Sequence, residues 1–191
     1  MQNHGVSRPI SISVSGAHGV GKTTFCNDLA GTLKSHGDGS HRVEVVTNVA
    51  RDLHAKGIPI NRGTEELQYP LFLEQHLTNL FAHNDSDFVI YDRTMLDTTA
   101  YATANGNLDE RWLSFLRKAA SHLLKTIDVY FYIPIEFDIE DDGVRAMERE
   151  YRTKVDQALV EILKECRLDV VTVTGSRAER VEQAMQCANR L

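Results

Sequence analysis

The fold of this chain is decided by the stretch Gly16-Ala17-His18-Gly19-Val20-Gly21-Lys22-Thr23. It matches the pattern G-x-x-x-x-G-K-[ST], the phosphate-binding P-loop, at every fixed position. An apolar run over residues 10–14 precedes it, and apolar residues with helical spacing, Phe25, Leu29 and Leu33, follow it. In a strand–loop–helix context the backbone N–H groups and the helix N-terminus face an anion. The sequence therefore predicts a nucleoside triphosphate site.

The side chains of this loop have separate predicted roles. Lys22 is expected to reach the β- and γ-phosphates, and the Thr23 hydroxyl is expected to bind Mg²⁺. His18 occupies a variable position, where we expect a side chain that packs on the loop or faces solvent rather than a catalyst. ATP is the expected nucleotide, since the chain has no N-K-x-D motif for reading guanine. The predicted nucleotide-binding residues of the loop are Gly16, His18, Gly19, Val20, Gly21, Lys22, Thr23 and Thr24.

Length and composition indicate the class of protein. The 191 residues, 42% of them apolar and 25% charged, predict a single globular domain over residues 1–191. The net charge of -6 disfavours broad binding to nucleic acid, which needs a basic face. No apolar run approaches the roughly 20 residues of a membrane helix, and the first fifteen residues lack the apolar core of a signal peptide. Together with three well-separated cysteines, these features predict a cytoplasmic protein of undecided oligomeric state.

Strands and helices are expected to alternate along the chain. Short apolar runs predict strands near 10–15, 43–47, 88–91, 128–133 and 169–173. Helical spacing predicts helices near 22–35, 64–84, 94–104, 109–125, 143–166 and 177–190. Pro70 is expected to start or kink the second of these helices. This alternation predicts an α/β fold whose parallel sheet is covered on both faces and binds ligands at the carboxyl ends of its strands.

A second candidate site is the pair Asp92-Arg93 at the end of the third predicted strand. A carboxylate in this position can lie near Mg²⁺ or accept a proton from a substrate hydroxyl, and the guanidinium can grip a phosphate. Asp97, four residues beyond Arg93, is expected either to contact substrate and pair with Arg93 or to be a surface acid. The competing interpretation of the whole pair is that it only caps the next helix.

A third candidate site is an arginine-rich helix after the fourth strand. Arg145, Arg149 and Arg152 have the spacing that puts them on one helix face. Arginines supplied by a mobile lid can stabilise the charge that phosphoryl transfer spreads over the phosphate oxygens. The alternative is a solvated helix face in which Glu148 and Glu150 neutralise the arginines.

Two further loops carry weaker signals. Asn48 and Arg51 follow the second strand and could contact an acceptor substrate, although Asn48 also suits the N-cap of a helix. Gly175 and Arg177 follow the last strand and could lie against the nucleobase, with the arginine stacking on it. A simple turn and helix cap is the competing interpretation of this second loop.

These motifs together resemble the nucleoside and nucleotide kinase group of P-loop proteins. More narrowly, the chain is similar to the AAA-type kinases of NAD metabolism, which include ribosylnicotinamide kinase domains. The similarity spans residues 10–175 and rests on the P-loop and three further stretches: Val49-Ala50-Arg51, Tyr91-Asp92-Arg93-Thr94 with Asp97 and Tyr101, and Asp141-Asp142-Gly143-Val144-Arg145 with Glu150-Tyr151-Arg152.

The resemblance implies a three-layer fold with a five-stranded parallel sheet in the order 2-3-1-4-5 and a small lid over about residues 136–152. It implies ATP and Mg²⁺ as cofactors. Lys22 would stabilise charge on the γ-phosphate, Asp92 would lie near Mg²⁺ or act as a base, and Arg93 would bind a phosphate. Three arginines would belong to the lid. Arg145 and Arg149 would act in catalysis, and Arg149 would also bind the nucleotide. Arg152 would bind the substrate.

One position departs from the family pattern. Many relatives carry a Glu at or beside position 48, where this chain has Thr47-Asn48. An amide cannot act as a general base. A base role would then move to Asp92, or the acceptor would differ from the usual one.

The sequence leaves three functions to compare. The first is a kinase acting on a nucleoside, a nucleotide or a related small acceptor. The second is a kinase that phosphorylates a hydroxymethylated base in DNA, to which the negative net charge gives no support. The third is a nucleotide-dependent switch ATPase, which the lid arginines and Asp92-Arg93 disfavour.

Overall fold

The structure is a computed structural model that describes residues 8–47, 49–57, 71–77, 86–106, 108–137 and 146–188. Its sheet has five parallel strands in the order β2-β3-β1-β4-β5. The strands are β1 (Ile10–Ser15), β2 (Val43–Val46), β3 (Phe88–Asp92), β4 (Val129–Tyr132) and β5 (Val170–Thr172). The predicted strand order is confirmed. In the register of the central pair, Val14 of β1 lies beside Asp92 of β3, so both strands end at the same edge.

The described helices are α1 (Lys22–Ser35), α2 (Val49–Ala55), α3 (71–77), α4 (Met95–Asn105), α5 (Glu110–Leu123) with a 3-10 turn at Leu124–Thr126, α6 (Ala146–Cys166) and α7 (Arg177–Ala188). Five of them, α1, α4, α5, α6 and α7, lie within a few residues of the predicted bounds. The predicted helix near 64–84 is described only over 71–77, so Pro70 and its effect lie outside the described residues. Among the described helices, only α2 was not predicted as a helix, although the N-cap interpretation of Asn48 implied that a helix would begin there.

Two apolar cores lie on opposite faces of the sheet and make it the middle of three layers. One contains Val14 of β1 and Leu29 of α1, together with residues of α7. The other joins Leu96 of α4, Leu116 of α5 and Leu159 of α6. Burial of the sheet on both faces agrees with the apolar and aromatic character of β3 and β4. The central strand β1 instead alternates apolar residues with Ser11, Ser13 and Ser15, and these small serines are buried as well. The predicted α/β/α class is confirmed, and none of the described helices has the length and apolar character needed to cross a bilayer.

Candidate active site

The P-loop connects β1 to α1 at the carboxyl edge of the sheet, and two of its glycines are required by geometry. A Cβ at Gly16 would lie 2.5 Å from the carbonyl oxygen of Ile133, so no larger residue fits there. Gly21 has a φ of 90° and immediately precedes α1, a left-handed conformation that favours glycine. The loop therefore reaches the helix N-terminus in the conformation that the motif predicts.

Lys22 lies folded over the inside of this loop, with only 4% of its surface exposed. Its Nζ donates hydrogen bonds to the carbonyl oxygens of Gly16 at 2.7 Å and Ala17 at 2.5 Å. Burial, and then the nearby Arg93 guanidinium, lower the pKa of Lys22 to about 8. The ammonium is held by carbonyls of the very loop that is predicted to receive the phosphates.

Thr23 and Asp92 meet where β3 ends beside α1. The Thr23 hydroxyl donates to Asp92 Oδ2 at 2.5 Å, whereas the buried Asp92 Oδ1 has no hydrogen-bond partner in the described structure. A hydroxyl and a carboxylate are hard oxygen ligands, and Mg²⁺ in phosphoryl-transfer sites takes one or two such side chains besides water and phosphate. No cluster of three His, Cys, Asp or Glu suited to a metal occurs among the described residues. Asp92 Oδ1, which has no hydrogen-bond partner in the described part of the chain, therefore fits the role of a ligand for the predicted Mg²⁺.

Arg93 adopts a backbone conformation that is rare outside glycine, with a φ of 84°. Its N–H donates to the Val14 carbonyl at 3.0 Å, and its own carbonyl accepts from Gln75 of α3 at 3.3 Å. The guanidinium lies over the Tyr101 ring, 5.5 Å from the ring centre. Within the described part of the chain no ion pair joins Arg93 to a carboxylate. Backbone strain of this kind is concentrated at functional sites, and this guanidinium is available for an anionic ligand.

Asp97 is neither a surface acid nor the ion-pair partner of Arg93. It is fully buried and forms a capping box at the start of α4, where Thr94 N–H donates to Oδ2 at 3.0 Å. The Ser15 hydroxyl donates to the same oxygen at 2.7 Å, and Gly16 N–H donates to Oδ1 at 3.3 Å. Burial raises the pKa of Asp97, and the charges of Lys22 and then Arg93 act in the opposite direction without forming an ion pair with it. Asp97 thus fixes the first residue of the P-loop to α4, and its predicted contact with substrate stays a prediction.

The arginines predicted for the lid occupy different surroundings. Arg152 is buried in α6, where its Nε donates to the His18 carbonyl at 2.9 Å and its Nη1 to the Phe137 carbonyl at 3.0 Å. Arg149 is half-buried one turn earlier. Arg145 lies outside the described residues. Arg152 is therefore bound to the P-loop itself, and the predicted lid roles of all three stay predictions.

Arg180 of α7 is a site residue that the sequence analysis missed. It is buried, its Nη1 donates to the Val20 carbonyl of the P-loop at 2.8 Å, and its Nη2 pairs with Glu136. Glu136 also accepts from the Gly175 N–H at 2.9 Å. The only sequence feature that could have indicated Arg180 is its spacing of one helical turn from Arg177. Arg177 itself is 74% exposed and pairs with Asp28, and its stacking on a nucleobase stays a prediction.

Three aromatic rings stand beside the loop and next to Arg93. The His18 ring stacks on Tyr151 at 6.2 Å, and its centre is 6.3 Å from that of Tyr101. The two tyrosine rings are also 6.2 Å apart. Burial raises the pKa of Tyr101 to about 12, so that its hydroxyl stays neutral. His18 packs against these tyrosine rings of α4 and α6 rather than on the loop itself.

The second-strand loop is only partly described. Asn48 lies outside the described residues, and Arg51 is in α2 without a described side chain. The helix begins at Val49, directly after the position predicted as either an N-cap or an acceptor contact. Both interpretations of Asn48 stay predictions.

A family model described as an AAA domain matches residues 11–180. The chain belongs to this AAA domain family. The match extends from the P-loop through Asp92-Arg93 to Arg180 of α7, and with the fold it confirms the resemblance drawn from the motifs. No curated protein matches the chain.

Solved structures share the fold of this AAA domain. NadR protein in complex with NR has a TM-score of 0.71 and 18% identity over 95% of this chain, which spans 50% of the NadR chain. Thymidylate kinase from Ehrlichia chaffeensis has a TM-score of 0.64 and 18% identity, and the alignment covers 95% of this chain and 100% of the kinase. Deoxyadenosine kinase from M. mycoides, with the products dCMP and dCDP, has a TM-score of 0.65 and 15% identity over the same shares. The fold is that of the P-loop nucleoside and nucleotide kinases.

Proposed function

We propose that this chain is an ATP- and Mg²⁺-dependent kinase that phosphorylates a nucleoside, a nucleotide or a related small acceptor. The observation that carries the proposal is the convergence of three features at one edge of the sheet. These are the buried Lys22 ammonium, the Thr23–Asp92 pair with its orphaned oxygen, and the Arg93 guanidinium that has no carboxylate partner in the described chain. A loop that only bound nucleotide would need the first two features, whereas Arg93 adds a second cation where an acceptor would meet the γ-phosphate.

On the donor side, Thr23 and Asp92 would hold Mg²⁺, which when bound neutralises charge on the β- and γ-phosphates. Lys22 would exchange the carbonyls of Gly16 and Ala17 for phosphate oxygens, because an ionised acceptor binds an ammonium more strongly than a neutral carbonyl does. The N–H groups at the start of α1 would cradle the same phosphates. Catalysis here is positioning and charge stabilisation rather than covalent chemistry.

On the acceptor side, the aromatic rings of His18, Tyr101 and Tyr151 support a ligand that contains a flat ring. They stand next to Arg93, so a base or pyridine ring packed there would leave its sugar hydroxyl or phosphate near the guanidinium. The similar folds include proteins solved with NR, dCMP and dCDP. Asp97 already accepts hydrogen bonds from two backbone N–H groups and one hydroxyl, so Asp92 is the carboxylate left for the chemistry, either in the Mg²⁺ shell or as the base that receives a proton.

A screen of acceptors tests this proposal. ATP consumption is measured with nucleosides, ribosylnicotinamide, nucleoside monophosphates and DNA that carries a hydroxymethylated base. We expect turnover with one of the small acceptors and a loss of about 100-fold or more in Asp92→Asn, the order of magnitude for an acid–base or metal-site carboxylate.

The matched control for this screen is Asp169→Asn, an exposed carboxylate before β5, which should leave turnover unchanged. Turnover only with the DNA substrate would replace the proposed acceptor class. ATP consumption that no acceptor raises above its basal rate would refute the kinase.

A further inference from the structure

Two buried arginines hold carbonyl groups of the P-loop from outside. Arg152 of α6 donates from Nε to the His18 carbonyl at 2.9 Å, and Arg180 of α7 donates from Nη1 to the Val20 carbonyl at 2.8 Å. Their exposed fractions are 4% and 7%, so these contacts are protected from water. Each arginine reaches the loop from its own helix and contacts a different peptide unit.

The planar peptide bond links each of these carbonyls to an N–H group. In a trans peptide the C=O of one residue and the N–H of the next point in opposite directions. Because the His18 carbonyl is held away from the inside of the P-loop, the Gly19 N–H points toward the inside. The Val20 carbonyl orients the Gly21 N–H in the same way. Both glycines have positive φ, 72° and 90°, and glycine permits other orientations at little cost. The hydrogen bonds from Arg152 and Arg180 restrict this freedom, one at each peptide.

Both arginines are themselves fixed by neighbouring residues after β4. The Nη1 of Arg152 donates to the Phe137 carbonyl at 3.0 Å, and the Nη2 of Arg180 pairs with Glu136. Glu136 in turn accepts from the Gly175 N–H in the loop that precedes α7. The fork of each guanidinium thus joins the P-loop to the same two-residue segment, which a lysine with one nitrogen cannot reproduce.

We propose that Arg152 and Arg180 are positioning residues for the donor phosphates, each acting through one peptide plane of the P-loop. Arg152 orients the Gly19 N–H, and Arg180 orients the Gly21 N–H. Neither guanidinium touches the nucleotide in this role. The proposal rests on the proposed binding of a nucleoside triphosphate, and it gives Arg152 a function different from that of a lid arginine.

The test combines binding with amide NMR, and its probes are ATP with Mg²⁺ and inorganic tripolyphosphate. In the wild-type chain both probes should shift the amide protons of Gly19 and Gly21. Arg152→Gln should remove the Gly19 shift and keep the Gly21 shift, and Arg180→Gln should do the reverse. Each variant should bind tripolyphosphate about tenfold more weakly, as expected when one oriented hydrogen bond is lost.

The control is Arg42→Gln, which removes an arginine paired with Asp87 at the opposite, amino edge of the sheet and should change neither shift nor affinity. If Arg180→Gln does not fold, Arg180→Lys keeps the charge beside Glu136 and should still lose the Gly21 shift. A purely structural role would lower the melting temperature but leave the shifts and affinities of the folded variants at wild-type values, and that result would overturn the positioning roles. Failure of the wild-type chain to bind either probe would instead overturn the proposed function and this inference with it.

Discussion

At the scale of the residue, the burial of Lys22 makes nucleotide binding depend on pH. Its pKa is lowered to about 8, chiefly by burial, and a bound triphosphate favours the charged ammonium. Below pH 8 the free protein already carries the charge, so affinity is constant there. Above pH 8 the ammonium must first regain a proton, and we expect the affinity for ATP to fall about tenfold per pH unit.

Titrations of ATP between pH 8 and 10 check this prediction. The matched variant is Lys22→Arg, whose guanidinium stays charged over that range. It should bind more weakly but with an affinity that does not change with pH. A wild-type affinity that is flat from pH 8 to 10 would contradict the assigned cause.

At the same scale, the position of the P-loop between β1 and α1 was predictable from sequence, whereas the side chains that contact the loop from other helices were not. The P-loop residues are contiguous, so one motif predicts the roles of Lys22 and Thr23 together. The contacts of Arg152 and Arg180 join residues 134 and 160 positions apart, respectively, and no local pattern encodes them. Asp97 shows the same limit, because its sequence spacing suggested Arg93 as its partner while the fold supplies Ser15 and Gly16.

At the scale of the element, α4 and the P-loop share one carboxylate. Asp97 accepts from the Thr94 N–H of the helix start, the Ser15 hydroxyl and the Gly16 N–H, all of them buried. Asp97→Ala would leave these donors without an acceptor. We expect a loss of roughly 2–4 kcal/mol in the free energy of unfolding, more than the approximately 1 kcal/mol of an ordinary N-cap.

Urea denaturation measures this difference, and α5 offers the comparison. Asp109 caps α5 by accepting from the Arg111 N–H on the surface, so Asp109→Ala removes a helix cap that, among the described residues, has no contact with the P-loop. Equal losses in the two variants would show that the contacts of Asp97 with the P-loop add nothing to stability.

Elements were predicted well where a periodic pattern was long. Helices α1 and α6 follow from the helical spacing of their apolar residues. The strands follow from short segments rich in β-branched and aromatic residues, although β1 alternates these with serine. Helix α2 was missed because seven residues, Val49–Ala55, are too few to display helical periodicity against a polar background.

At the scale of the whole molecule, bound nucleotide should stabilise the fold. A ligand that binds only the folded chain adds about 2.7 kcal/mol at one hundred times its dissociation constant. For a domain of this size that corresponds to a rise of roughly 5–10 °C in melting temperature. Thermal unfolding with ATP and Mg²⁺ measures it, and Lys22→Ala should show little or none of the rise. The control Lys34→Ala, an exposed lysine of α1, should show all of it.

The strand order could be expected from the family resemblance, but the acceptor could not be identified from sequence. The order β2-β3-β1-β4-β5 places the ends of β1 and β3 side by side, and this brings Thr23 to Asp92 across 69 positions of sequence. The aromatic rings near Arg93 come from the P-loop, α4 and α6, so their meeting depends on the packing of the whole domain.

The most direct test of phosphoryl transfer follows the label of γ-³²P ATP. With Mg²⁺ and the acceptor found in the screen, we expect label to appear in the acceptor and only when the acceptor is present. Lys22→Ala should abolish this transfer, whereas Lys34→Ala should not. Label that appears only in inorganic phosphate, at a rate that no acceptor changes, would contradict the proposed kinase activity and identify the chain as a nucleotide hydrolase.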